Sequence, residues 1–103
     1  MISWHRELET ATTSSEVVYL TRHFLASLAP HEVARLPEDT RPEWIHDAQD
    51  IREWRRRLTD EYWSRRGLGA DVGVIQEVWG FFLRASIQLE RISEESAVEV
   101  LPR

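Results

Sequence analysis

Residues 71–92, "DVGVIQEVWGFFLRASIQLERI", decide how this chain folds, because their apolar positions recur at helical spacing yet wrap much further round the helix than a half-buried helix needs. Val72, Ile75, Trp79, Phe82 and Leu83 mark one side, and Val74, Val78, Phe81, Ala85, Leu89 and Ile92 widen the arc to roughly 200°. Glu77, Arg84, Gln88 and Arg91 remain as a polar strip. Such a helix is either central to its domain or shared with a second partner.

Working outward, Asp71 stands as N-cap behind the turn "GLGA", which predicts a helix over about 71–93. The stretch before it reads as a second long helix over about 41–66, opened by Thr40 or Arg41 with Pro42 in its first turn and closed by Gly67. The short loop between them makes the two long helices an antiparallel hairpin. A third helix over about 15–28 carries Val17, Leu20, Phe24 and Leu28, and Ser14 or Ser15 can cap it. "SWHRELET" is a short N-terminal helical stretch with Ser3 as cap, and "ATTSS" either separates it from the third helix or lies within one continuous helix. One or two helical turns fit between Pro30 and Pro37. The expected fold is all-α, a small four-helix bundle forming a single domain over residues 1–93, with 94–103 a frayed C-terminal tail.

Composition bounds the function. A chain of 103 residues is one domain, and the absence of cysteine excludes disulfides, thiolate metal sites and cysteine nucleophiles. Every basic side chain is arginine, and lysine and asparagine are absent, a usage expected of a GC-rich bacterial or phage coding sequence. Charges near Met1 and the lack of a long apolar run argue for a cytoplasmic protein with no membrane segment. Thirteen arginines against 18 acids leave a net charge of −5, which argues against nucleic acid as the main ligand.

The arginine-rich segment 52–66, "REWRRRLTDEYWSRR", is the obvious exception. Placed on a helix, its arginines spread round the cylinder, with Glu53 and Arg57, Arg56 and Asp60, and Glu61 and Arg65 at i,i+4 spacing. Acids at the start and arginines at the end follow the helix macrodipole. The segment therefore reads as a solvated, ion-paired helix with Trp44, Ala48, Ile51, Leu58 and Tyr62 along its apolar side and Trp54 on one flank. Arg55 lies near that apolar side and must extend its guanidinium outward or find a carboxylate. Arg55, Arg56, Trp63 and Arg66 are the candidate partner-binding residues.

Glu43, His46, Asp47 and Asp50 share one helix face, and E-x-x-H is a spacing used by carboxylate-bridged metal bundles. Glu16 and His23 on the preceding helix are the nearest matching set, but a second E-x-x-H is missing, so no metal or other cofactor is expected. Arg41 and His46 also stand at R-x4-H spacing and in those six residues resemble small all-α ribonucleases of the HEPN class; Pro42 departs from the polar residue usual after the arginine. The resemblance would imply RNA cleavage. No nucleophile, base and acid stand at telling spacing, and no glycine-rich phosphate loop occurs.

The expected function is that of a small acidic helical protein-interaction module, of homo-oligomer, inhibitor, immunity or adaptor type, without catalysis. A metal-dependent or HEPN-like ribonuclease and an RNA-binding helix through residues 52–66 are the alternatives. The wide apolar arc predicts a homodimer, through Val74, Val78, Phe81 and Ile92 or through the opposite set around Trp79 and Leu83.

Overall fold

A computed structural model describes residues 3–37 and 40–100, the last seven of these by backbone alone. Its described residues are all-helical, with no strand: α1 spans Trp4–Thr10, α2 Ser14–Ala26, α3 Pro30–Val33, α4 Ala48–Gly67 and α5 Gly73–Val100, and a 3-10 turn covers Pro42–Trp44. No helix among them is long and apolar enough to cross a membrane.

Local hydrogen bonding explains where the helices start and stop. Residues 3–28 form two helices rather than one, because Ala11 turns extended (φ −66°, ψ 133°) and Thr13 caps α2, its hydroxyl accepting the Glu16 N–H at 3.2 Å. Neither Ser14 nor Ser15 is the cap. Ser3, at the start of α1, makes no side-chain cap bond. α3 is a single turn held by Glu32, whose carboxylate accepts the Ala29 N–H at 2.9 Å.

The largest departure from the sequence-based expectation lies before α4. The helix begins at Ala48, not at Arg41, since Asp47 caps it by accepting the Asp50 N–H at 3.0 Å, and Ile45 is extended (φ −96°, ψ 99°). Pro42 opens only the 3-10 turn. At the other end Gly69, rather than Gly67, carries the left-handed conformation (φ +76°). The Ala70 N–H reaches the Arg65 carbonyl at 3.0 Å and the Gly69 N–H reaches that of Arg66 at 3.1 Å, which is a Schellman closure. Asp71 then accepts the Gly73 N–H at 2.9 Å and launches α5. α5 continues to Val100, past the expected end near residue 93, so the backbone of the expected tail is helical that far; residues 101–103 and the side chains of 94–100 lie outside the described residues.

α5 is the central wall of the core. Ile75, Val78, Phe81, Phe82, Ala85 and Leu89 are all buried, and α1, α2 and α4 all pack on this helix. Phe81 stacks on Phe24 of α2 (centroids 4.1 Å apart, planes 4° from parallel), with the Trp4 ring edge-on to both. Trp79, two residues earlier and so about 200° round the helix, stacks on Tyr62 of α4 at 4.5 Å. Its indole N–H donates to the Thr59 hydroxyl at 2.8 Å. Gln88, expected in the polar strip, is buried and donates to the Ala11 carbonyl at 2.8 Å, tying α5 to the break between α1 and α2.

Two of the four residues expected at a homodimer interface are core residues of the single chain. Val78 and Phe81 are 0% and 2% exposed within one chain, so they have no surface to offer a second copy, and only Val74 and Ile92 of that set are half-buried. Trp79 and Leu83, the opposite set, are also half-buried, with Trp79 already packed on α4. The wide apolar arc reflects a helix covered from both sides. Phe81→Ala should accordingly cost about 3–5 kcal/mol, as large-to-small changes in tight cores do, and Val74→Ala less than half as much; urea denaturation of the two variants checks the order.

Candidate interaction surface

α4 presents two different flanks to solvent. At 100° per residue, Arg52, Arg56, Trp63 and Arg66 fall within about 80° of one another, and all four are exposed. Two of the other arginines are engaged elsewhere. Arg65 donates to Glu61 at 2.7 Å and to the Arg35 carbonyl, and the Arg57 guanidinium lies over the Trp54 ring, 4.2 Å from its centroid. The i,i+4 pair Glu61–Arg65 expected from spacing closes as a direct ion pair. Positive charge is less evenly spread than the wheel suggests, because what reaches solvent on this side is an arginine-flanked tryptophan.

Trp63 is 55% exposed. Its ring meets Tyr62 edge-on at 5.2 Å, and Arg66 sits above it at 5.3 Å while donating to the Tyr62 hydroxyl at 3.3 Å. The ring and the cation hold each other in place, a cation–π contact worth about 0.5–1 kcal/mol at an exposed site. Arg55 stands apart from its three expected companions. It is half-buried, its Nε is enclosed without a hydrogen-bond partner, and its carbonyl accepts the Thr59 hydroxyl at 2.7 Å. Arg55 thus belongs to the packed edge, and Arg56, Trp63 and Arg66 to the surface.

The candidate metal ligands are dispersed, several of them into capping roles. His46 donates its backbone N–H to Asp50 at 2.8 Å and brings its ring Nδ1 to the same oxygen at 3.2 Å, while Asp47 holds the Asp50 N–H. Glu16 takes the Thr12 and Thr13 hydroxyls at 3.0 and 3.3 Å, His23 lies against the Tyr19 ring at 4.2 Å, and Glu43 is exposed on the 3-10 turn. Among the described residues no three His, Cys, Asp or Glu side chains gather as a metal site would require. Arg41 is exposed on extended backbone (φ −132°, ψ 148°), and the ring of His46 is paired with Asp50 rather than with Arg41.

One feature escapes the sequence-based reading altogether. Trp44, expected on the apolar side of a helix, is 53% exposed and lines a hollow with His46, Asp50, Trp54 and Arg57. The signal for it was present: D-A-Q-D at 47–50 is a capping sequence, and a helix that starts there leaves Trp44 outside.

Comparison with known proteins adds no relative: no family model matches the chain, nor does any curated protein or solved structure.

Arg55→Ala should cost about 1 kcal/mol or more, through lost packing of its stem, whereas Arg56→Ala should be nearly neutral. Arg55→Met keeps the stem and removes the unpartnered nitrogen, so its denaturation midpoint should equal or exceed that of the native chain. The Asp50 carboxyl is held below its ordinary pKa by the His46 backbone N–H, with burial opposing and the His46 ring and Asp47 N–H assisting. A folded pKa below the unfolded value of about 3.9 stabilises the fold above that pH, and the contribution is lost as pH falls through the lower folded value. The stability gap between the native chain and Asp50→Asn should therefore be open at about pH 5 and close toward pH 2, as read from urea midpoints across that range.

Proposed function

We propose that this chain is an acidic α-helical bundle that works as a protein-interaction module, docking an acidic partner protein on the outer flank of α4 at Trp63. The observation that carries the reading is the exposed Trp63 ring, clamped by Arg66 and flanked by Arg52 and Arg56, on a chain whose core is filled without it. Tryptophan and arginine are the residues that most often dominate binding energy, and a prearranged pair loses less side-chain freedom on docking. Carboxylates of the partner would meet the three guanidinium groups, and an apolar side chain would cover the indole.

The reading takes α4 and α5 as the antiparallel hairpin of a four-helix bundle. Support comes from the Tyr62–Trp79 stack, whose members stand five residues before Gly67 and six after Gly73, at similar distances from the intervening turn. It is a module without a catalytic step and without a cofactor, in a cytoplasmic setting of bacterial or phage origin. Burial of Val78 and Phe81 favours an inhibitor, immunity or adaptor role, with a different protein as partner, over self-association through α5.

The clustering of Arg52, Arg56 and Arg66 round Trp63 also supports a second reading, an RNA-binding helix. Asp60 and Glu53 beside that cluster and the net charge of −5 weigh against it. A photo-crosslinking amino acid in place of Trp63, in cells that express the chain, separates the two. The expected product is a discrete protein adduct, resistant to nuclease and abolished by Arg56→Glu with Arg66→Glu. A nuclease-sensitive adduct, or none at all from a folded chain, would reject the proposal.

A further inference from the structure

Two arginines of α4 are half-buried, and the fold treats them differently. Arg65 has the Glu61 carboxylate at 2.7 Å, whereas the Arg55 guanidinium meets no carboxylate and makes no hydrogen bond among the described residues. Its Nε is sealed from solvent, which leaves the two terminal nitrogens to reach outward. We infer that Arg55 is the anchor of the docking site proposed at Trp63: a side-chain carboxylate of the partner protein enters the outer edge of the seam between α4 and α5 and takes those two nitrogens as a bidentate pair. The inference rests on the Trp63 reading and adds to it a recessed charge that the exposed flank lacks.

A half-buried cation without an anion is costly, since it gives up part of its hydration and gains no opposite charge in return. The seam itself supplies no remedy. Ser86 stands about 20° from Trp79 on the α5 wheel, on the side turned to α4, and is 8% exposed, yet its Oγ is likewise unpartnered and does not bond to Arg55. Packing explains the stem of Arg55 and not its charge, because an uncharged side chain of similar length would fill the same space. Binding residues commonly carry a cost of this kind in the free protein and recover it when the ligand arrives. The packed stem also holds the guanidinium in place beforehand, so little freedom is lost on docking.

Arg55 borders the flank already described. On the α4 wheel it lies about 20° from Arg66, 60° from Arg52 and 80° from Trp63, while Asp50, Glu53, Asp60 and Glu61 all lie about 120° or more away. No acid of α4 therefore shares its side. Glu90, an exposed acid about 20° from Trp79 on the α5 wheel, pairs with neither Arg52 nor Arg55. Past Arg55 the surface continues onto α5 with Leu83, half-buried, and Ile87, 50% exposed. A recessed guanidinium beside apolar side chains suits one carboxylate carried on a flexible stem, with the planar fork meeting both oxygens. A continuous phosphate backbone, held at the surface of its own strand, reaches such a recess less well.

The test is selection of peptides from a phage-displayed random 12-residue library on the intact folded chain, followed by titration of the enriched peptides against variants. Acidic peptides should be enriched, and their affinity should fall about tenfold or more on Arg55→Met, the loss of a hot-spot side chain, although that variant is at least as stable as the native chain. A glutamate-to-glutamine change at one position of the peptide should weaken binding to the native chain and leave binding to Arg55→Met unchanged, the signature of a direct pair. Arg55→Lys, which keeps the charge and loses the fork, should fall between the two. An equal loss on both chains at every acidic position of the peptide, absence of any enrichment, or Arg55-dependent binding of a mixed-sequence single-stranded RNA in place of the peptides would each overturn the inference. Peptides weakened by Trp63→Ala but not by Arg55→Met would also overturn it and leave the Trp63 reading standing. Peptides weakened by Arg55→Met but not by Trp63→Ala would reject the Trp63 reading and support a carboxylate site at Arg55.

Discussion

Burial of α5 from two directions is the constraint on which the rest of the molecule depends. Phe81 and Trp79 point to nearly opposite sides of one helix, the first into the ring cluster with Phe24 and Trp4 and the second onto Tyr62 of α4. Once α5 is central, the short α1 and α2 must cover one side while α4 covers the other. The break at Ala11 is what lets α1 and α2 both reach α5. Its backbone carbonyl, left unpaired, would be costly in an apolar interior, and Gln88 satisfies it from α5 itself. A polar residue in the middle of an apolar arc thereby fixes how the N-terminal pair of helices sits on the central one.

The segment before α4 shows a second constraint, a competition between helix continuation and side-chain capping. Had the helix run unbroken from Arg41, Trp44 would lie about 20° from Ile51 and face the core, while Ile45 would lie about 120° away and face water. The observed arrangement inverts this, with Ile45 buried at 1% exposure and Trp44 more than half exposed. Asp47 and Asp50 satisfy the backbone N–H groups at the new start, so the break leaves no unpaired donor among those bonds. The exchange replaces a bulky indole in the core with a compact aliphatic side chain and places the indole on the surface.

How much of this is legible in the sequence depends on the range of the interaction concerned. The all-helical class, the approximate spans of α2, α4 and α5 and the apolar residues of α5 follow from periodicity, a local property. The closure of α4 at Gly69 rather than Gly67 does not, because two glycines two residues apart both satisfy the rule, and only the carbonyls of Arg65 and Arg66 decide between them. Gln88 looks like a surface residue until the carbonyl of Ala11, 77 positions away, is brought to it. Counting arginines round a cylinder likewise misses that Arg65 is drawn toward Glu61 and the Arg35 carbonyl and that Arg57 lies over Trp54, contacts that set both apart from the charge round Trp63. Of the four residues expected to bind a partner, Arg56, Trp63 and Arg66 share that flank, and spacing already marks Arg55 as the one near the packed side.

The five tryptophans of the chain divide by what folding asks of them. Trp54 is buried, and Trp4 and Trp79 are half-buried against the Phe81 cluster and Tyr62. Trp44 and Trp63 are more than half exposed. On a helix surface a residue such as glutamate or arginine has better intrinsic propensity than tryptophan and leaves no large apolar face in water. Trp63 thus weakens the helix slightly by propensity and returns surface contacts with Arg66 and the edge of Tyr62. Trp44 occupies a turn that the chain holds rigid on both sides without needing the indole for packing. A single exposed apolar side chain on a small protein requires no explanation. Two tryptophans are left outside the core, and the one on α4, Trp63, held beside a guanidinium, is the side chain that the proposed docking of a partner would use.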